Sequence, residues 1–359
     1  MTIPSLISRL GSFVIINALV CGIVGVTFGI LSSNLLLWLI GGVLVGALLG
    51  ALTEAFFNRV RSHARLYRMR MVIAVLVEVL LIVYLVIPIY VAYIEVHPTR
   101  FPLLVNPGDT GLSYENVQLE TQDGLTLAAW YIPPRNGATI IAVHGFSGNR
   151  THVVYHAHAL AKRGYGILAL DMRAHGESEG DLFKPWMADL DVLAAVDYLQ
   201  HRPEVQLDRI GALGLSSGAM ADLYAAARDD GIKAVWADGA AAARVEDSIN
   251  PFLPDIAPFW FMTPMVWNTD RLIELFSGTR AAPPLREQVK RIAPRPVYFV
   301  AAGQAQGEIS IAHRYADSIG PTAQVWELPD ATHCNGIFSH SQEYQQRMIA
   351  FFDSTLLKP

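Results

Sequence analysis

The segment of this chain best equipped for covalent chemistry is Gly214-Leu215-Ser216-Ser217-Gly218. It follows an apolar, strand-like run at 210–213 and precedes an Ala-rich helical run at 219–228. A serine on a sharp strand-to-helix turn is lifted clear of a sheet, and its flanking glycines allow the tight backbone and close helix packing. The helix start behind Ser216 also offers unpaired N–H groups and positive potential to a developing oxyanion. The implied chemistry is nucleophilic attack on a carbonyl carbon. Acyl transfer needs a second backbone donor opposite the first. The turn His144-Gly145-Phe146-Ser147-Gly148, directly after the apolar run at 139–143, can present one. The oxyanion hole is therefore assigned to the N–H groups of Phe146 and Ser217. His144 itself reads as a structural turn residue, and Asp171-Met172-Arg173-Ala174-His175-Gly176-Glu177-Ser178 as a loop whose charged groups tie to one another.

The elements that must position these residues follow from the pattern of the chain. Two strand-like stretches, 115–121 and 125–131, flank Asp123-Gly124, a hairpin signal. Short β-rich runs at 139–143, 166–170, 210–213, 234–237, 296–301 and 323–328 then alternate with helical patterns at 188–200 and 218–228. Such alternation predicts an α/β domain with a mostly parallel sheet covered by helices. An amphipathic stretch at 342–357, with Tyr344, Met348, Phe351 and Phe352, is expected to close the domain as a helix on the sheet.

The strand-His-Gly turn, the Asp-x-Arg-x-His-Gly-x-Ser loop, the Gly-x-Ser-x-Gly elbow and a late histidine occur in that order, and together they resemble the α/β-hydrolase superfamily of serine hydrolases. The likeness covers about residues 115–357. It implies a nucleophile, then an acid, then a histidine in chain order. It puts the base at His333, after the last strand and before the closing helix; His340, at the start of that helix, is the alternative. It also implies an aspartate shortly after the strand at 296–301, but that register here reads Gly303-Gln304-Ala305-Gln306. The first carboxylate is Glu308, and a glutamate can equally orient and support an imidazolium. Asp238, at the end of the preceding strand, is the second candidate for the acid. His313 and Asp317 read as surface helix residues.

Composition divides the chain in two. Of 359 residues, 52% are hydrophobic and only 16% charged, and the mean hydropathy is positive at +0.32. That excludes a disordered or nucleic-acid-coating chain. The overall charge of −5 splits into +4 for residues 1–94 and −9 for the rest. Apart from Cys21, no ionisable side chain lies between Arg9 and Glu54. Three transmembrane helices are expected, at 13–31, 35–52 and 71–94, since a span takes about 20 apolar residues. Gly25 and Gly29, then Gly42, Gly46 and Gly50, recur at the spacing that lets membrane helices approach closely. Glu78 is either a functional intramembrane carboxylate or a side chain that snorkels toward the basic loop. That loop, 53–70, carries five arginines, which places it and the N-terminus inside and everything after the third span outside.

Residues 95–114, rich in proline and glycine, read as a linker, and 115–359 as the hydrolase domain. A cap is expected at about 240–293, where Phe252, Phe259, Trp260, Phe261 and Trp267 form either an apolar substrate-facing surface or an ordinary packed core. The two cysteines, Cys21 and Cys334, exclude a disulfide framework. The whole is expected to be a plasma-membrane serine esterase or lipase-like hydrolase of a small-molecule or lipid ester. Its expected partners are that substrate and a lipid bilayer, with no nucleic acid, metal or organic cofactor; the sequence does not set the oligomeric state. The competing expectations are a peptidase of the same superfamily and an inactive, membrane-tethered binding module.

Overall fold

In a computed structural model of the full chain, residues 35–59, 79–248, 259–305 and 307–357 are described, with isolated positions between 14 and 77. The chain divides into two compact units, Met1–Ile94 and Glu95–Pro359.

In the first unit, α1 (Leu35–Arg59) runs through the expected end at residue 52 because nothing in Thr53-Glu54-Ala55-Phe56 breaks a helix. Gly46 lies so close to a neighbouring segment that a Cβ there would sit 2.1 Å from the Asn17 carbonyl oxygen. Among the described residues one helix, Val79–Val96, is long and apolar enough to cross a membrane, and Leu39–Ala55 is a shorter apolar one. The described residues therefore do not carry three spans. Most of 13–31 and much of 71–78, including Glu78, lie outside them. Within Val79–Val96 a π-helical turn, Ile82–Val86, precedes α2 (Ile87–Val96). Pro88 has no N–H, and its ring crowds the carbonyl four residues back, so a wider turn is accommodated there.

The second unit is built on an eight-stranded sheet: β1 (Glu115–Glu120), β2 (Thr126–Ile132), β3 (Thr139–Val143), β4 (Gly166–Leu170), β5 (Ile210–Leu215), β6 (Ile232–Asp238), β7 (Val297–Ala302) and β8 (Ala323–Leu328). The spatial order is β1-β2-β4-β3-β5-β6-β7-β8. Only β2 runs against the others. The central strands are buried on both faces, which explains why they read as unbroken apolar runs. Side chains alternate between faces. Ile141 and Val143 join one core with α4 (Asp189–Gln200), α5 (Ser217–Arg228) and α7 (Glu308–Ile319). Ile140 and Ala142 join the other with α3 (Val154–Lys162) and α8 (Ser341–Leu356). In the expected cap region α6 (Phe259–Ser277) forms, while 249–258, with Phe252, lie outside the described residues.

The stretch expected to be a linker is tied down. Phe183 N–H donates to the Val96 carbonyl at 2.8 Å, and the Arg100 guanidinium donates to the carbonyls of Ser178 at 2.6 Å and Gly180 at 2.7 Å. Asn149 Nδ2 donates to the Phe101 carbonyl at 2.9 Å.

Candidate active site

The site lies where the strand order turns back on itself. After β3 the chain crosses to β4 on one side, yet β5 returns to the other side of β3, so the loops leaving β3 and β5 open a crevice at their carboxyl ends. Val143 pairs in register with Gly214, which brings the His144–Gly148 turn beside Ser216. Ser216 adopts φ 54 and ψ −115, a costly conformation for a residue with a Cβ, held because the surroundings over-determine it. Its N–H donates to the Asp238 carbonyl at 2.8 Å. A Cβ at Gly214 would lie 2.4 Å from Ala219 N, and one at Gly218 would lie 2.5 Å from the His144 carbonyl oxygen. Both clashes are with backbone, so these glycines set how closely α5 seats against β3 and β5.

Ser216 stands next to a histidine and a carboxylate. His333 arrives on the loop after β8, its Nε2 2.9 Å from Ser216 Oγ. Its Nδ1 is 2.5 Å from Glu308 Oε2. Glu308 is the first residue of α7, and its other oxygen accepts Ala302 N–H at 2.6 Å, so the last residue of β7 fixes the carboxylate. The Glu308 side chain is 5% exposed and that of His333 45%, leaving the imidazole open to an incoming substrate. The hydrogen bond that the ring donates to Glu308 raises the His333 pKa above its ordinary value against the opposing effect of burial. The tautomer that satisfies both contacts has Nδ1–H donating to Glu308 and Nε2 accepting from the Ser216 hydroxyl.

Asp238, the other candidate for the acid, faces elsewhere. It is buried, its Oδ2 accepts from Tyr344 OH at 2.7 Å, and that oxygen in turn accepts from Trp236 Nε1 at 2.9 Å. Burial pushes its carboxyl up to about 7. His340 bonds Ser339 and Asp330, and His313 pairs with exposed Glu327. Neither joins Ser216.

Two buried histidines shape the neighbouring loops. His144 accepts Met172 N–H on Nε2 at 3.0 Å, and Nδ1 lies 2.7 Å from the Gly145 carbonyl. His175 accepts Ser147 N–H at 3.2 Å. Burial lowers the first to about 4 and the second to about 3, so both are neutral struts. Beneath them Asp171 accepts from Arg150, from the Arg150 N–H at 2.6 Å and from Glu177 N–H at 2.9 Å. Phe146 packs its ring edge-on to His175 at 5.9 Å, and a Cβ built at Gly145 would lie 3.2 Å from Ser216 Cβ. The Ser217 N–H, at the first position of α5, belongs to the first turn that a helix leaves unpaired.

The sequence passed over Gly239 and Tyr344 as parts of the site. Gly239, at φ 67, lies under His333, where a Cβ would come 2.9 Å from the ring's Cε1. An isolated glycine directly after the apolar run ending at Asp238 was the available signal. Tyr344 reads as an apolar helix position, and nothing local marks that its hydroxyl meets a carboxylate.

A cavity of about 610 Å³ lies along β1 and β2, lined by Leu104, Trp130, Arg150 and Glu177 among others. Ser216, His333 and Glu308 do not line it, so geometry rather than concavity marks the candidate site.

Residues 102–251, less than half of the chain, match the family model described as X-Pro dipeptidyl-peptidase (S15 family). The chain is 35% identical over 117 residues to the uncharacterized protein YfhR of Salmonella typhimurium, a match spanning 31% of this chain and 40% of that protein. It is 26% identical over 256 residues to YfhR of Escherichia coli K12, spanning 68% and 82%. The esterase Pf2001 of Pyrococcus furiosus superposes with a TM-score of 0.58 at 22% identity, covering 73% of this chain and 98% of that one. The second unit of the chain thus has the α/β-hydrolase fold, and residues 102–251 are similar in sequence to the X-Pro dipeptidyl-peptidase (S15) family.

Proposed function

We propose that the chain is a serine hydrolase of carboxylic esters that works through an acyl-enzyme on Ser216. The observation that carries this reading is the continuous hydrogen-bonded chain from Glu308 through His333 to Ser216 on a strained strand-to-helix turn. Ser216 Oγ attacks the ester carbonyl as His333 Nε2 takes its proton, and Glu308 stabilises the imidazolium that forms. The N–H groups of Phe146 and Ser217 receive the oxyanion. Collapse expels the alcohol, protonated by His333, and leaves an ester on Ser216. Water, deprotonated by the same imidazole, then releases the carboxylic acid.

The match to the S15 model supports a second reading, in which the same serine cleaves a peptide bond. The contact of Glu308, two residues beyond the register where an aspartate was expected, with the imidazole favours an active enzyme over an inactive binding module. Turnover of p-nitrophenyl esters beside peptide anilides separates the two enzymatic readings. Ser216→Ala is expected to lower the preferred activity by about 10⁴-fold or more without changing the melting temperature. Full activity in that variant would end the assignment.

We further infer that the first 94 residues hold the enzyme in a plasma membrane by three spans, with the hydrolase unit outside. The apolar helices Val79–Val96 and Leu39–Ala55 and the arginine-rich loop between them support this. Digestion of the hydrolase unit by protease added to intact cells is the expected result, and complete protection would contradict it.

A further inference from the structure

The segment between the apolar helix and the sheet exposes the wrong kind of surface for a soluble linker. Leu104 is 82% exposed, Phe101 51% and Val105 39%. Leu103 stands beside them in the same run, Phe101-Pro102-Leu103-Leu104-Val105, which carries no charge. A short stretch of this kind is normally buried or covered. Here its backbone is fixed in place instead. Asn149 Nδ2 holds the carbonyls of Phe101 at 2.9 Å and Pro102 at 3.3 Å, and Arg100 grips the loop at 175–180 through four carbonyls. Leu104 and Val105 rim the cavity along β1 and β2 and yet stay exposed to solvent.

What covers this surface follows from chain connectivity. Phe101 is five residues past Val96, the end of the helix long and apolar enough to span a bilayer. Five residues reach about 17 Å at most. If the helix is inserted, as argued above, Phe101 stays within that distance of its end, a reach that includes the headgroup region of about 5–8 Å just beyond the hydrocarbon. Asn149 is also three residues beyond Phe146, so the strap is fastened to the turn assigned to the oxyanion. Tyr155 of α3, six residues after Asn149, is likewise exposed, at 55%. Its ring meets Phe338 at 5.3 Å, five residues after His333.

We propose that residues 101–105 form a membrane-interface anchor that lays Phe101, Leu104 and Val105 into the headgroup–acyl boundary of a lipid bilayer, so that the Ser216 mouth works at a lipid surface. The proposal rests on the membrane reading of the first unit. It commits the substrate to esters that reside in, or partition into, a bilayer. Apolar side chains buried a few ångströms below the headgroups are the mode by which interfacial segments bind, and Arg100, held by backbone carbonyls, does not oppose it.

The test uses the unmodified full chain in vesicles of phosphatidylcholine and phosphatidylglycerol containing a lipid with a diazirine near its acyl carbonyl. After photolysis the labelled peptides are mapped by mass spectrometry. The expected result is labelling of 79–96 and of 101–105, with peptides containing Leu207 labelled several-fold less. Leu207 is an equally suitable control because it is 52% exposed but lies just before β5, at the end opposite Ser216. Phe101→Ser with Leu104→Ser should then remove the label from 101–105 and leave that on 79–96. Labelling of 79–96 alone in the unmodified chain would overturn the interface anchor and leave the span standing. Labelling of neither would overturn the span, and the anchor with it.

Discussion

At the scale of single residues the account rests on who neutralises whom. His333 acts as a base only when neutral, and its pKa is raised because Glu308 stabilises the protonated ring. Turnover should therefore rise with pH through a value above the ordinary 6.5 or so of histidine. Glu308→Gln removes the stabilising charge. The rising limb should move to lower pH while the maximal rate falls by about 10³- to 10⁴-fold; a pH–rate profile reads both, and an unmoved limb would mean Glu308 does not act on His333. Gly239→Ala probes the same ring from below. The new methyl would meet a position at φ 67 and the ring 2.9 Å away, so kcat should fall at least tenfold while KM changes little. At this scale Ser216 and His333 were legible in the sequence, because a pentad after an apolar run and a histidine before a closing helix are local signals. The choice between Glu308 and Asp238 was not. Both follow strands, and only the meeting of the loops after β7 and β8, with Gly303 pressed against Pro329, decides which reaches Nδ1.

At the scale of elements the site depends on loops braced by buried neutral histidines. The folded chain keeps His144 uncharged down to about pH 4 and His175 to about 3, whereas the unfolded chain protonates both near 6.5. Their folded values are depressed, so between those limits the unfolded state binds more protons. The contribution of these two histidines is full above about pH 6.5 and falls as pH drops through that window, by about 3 kcal/mol for His144 alone. Thermal melts from pH 7 to 4 should show that His144→Gln loses less of its midpoint on acidification than the unmodified chain does; an identical pH dependence in the two would contradict the strut role. The strands were readable as apolar runs because they are buried on both faces. α3 was not, since its Val154-Tyr155-His156-Ala157-His158 start mixes polar and apolar residues, and His156 is buried against Tyr344 at a ring distance of 5.5 Å. α7 was legible only as a helix somewhere near 313–317. Its start at Glu308 is what turns a loop carboxylate into a held one.

At the scale of the whole molecule the division into two units follows the change in composition at residue 94. The connection between them, read from its prolines and glycines as a linker, is not left loose. It is stitched to the hydrolase unit by Arg100, Asn149 and Phe183, contacts between residues up to 87 apart that no local pattern announces. Arg100→Ala should cost about 1–3 kcal/mol and make 96–105 the first site of limited proteolysis; unchanged proteolysis would mean the strap is held by other contacts. The number of spans is the least legible feature. Hydropathy alone supports three, while the described residues contain one helix of sufficient length.

The central claim, that Ser216 is activated by His333 and Glu308, is tested most directly by the rate at which a fluorophosphonate labels the full chain. The account predicts stoichiometric labelling mapped to Ser216, slowed by at least about 10³-fold in both His333→Ala and Glu308→Gln and absent in Ser216→Ala. Labelling that maps to another residue, or that proceeds as fast without His333, would contradict it.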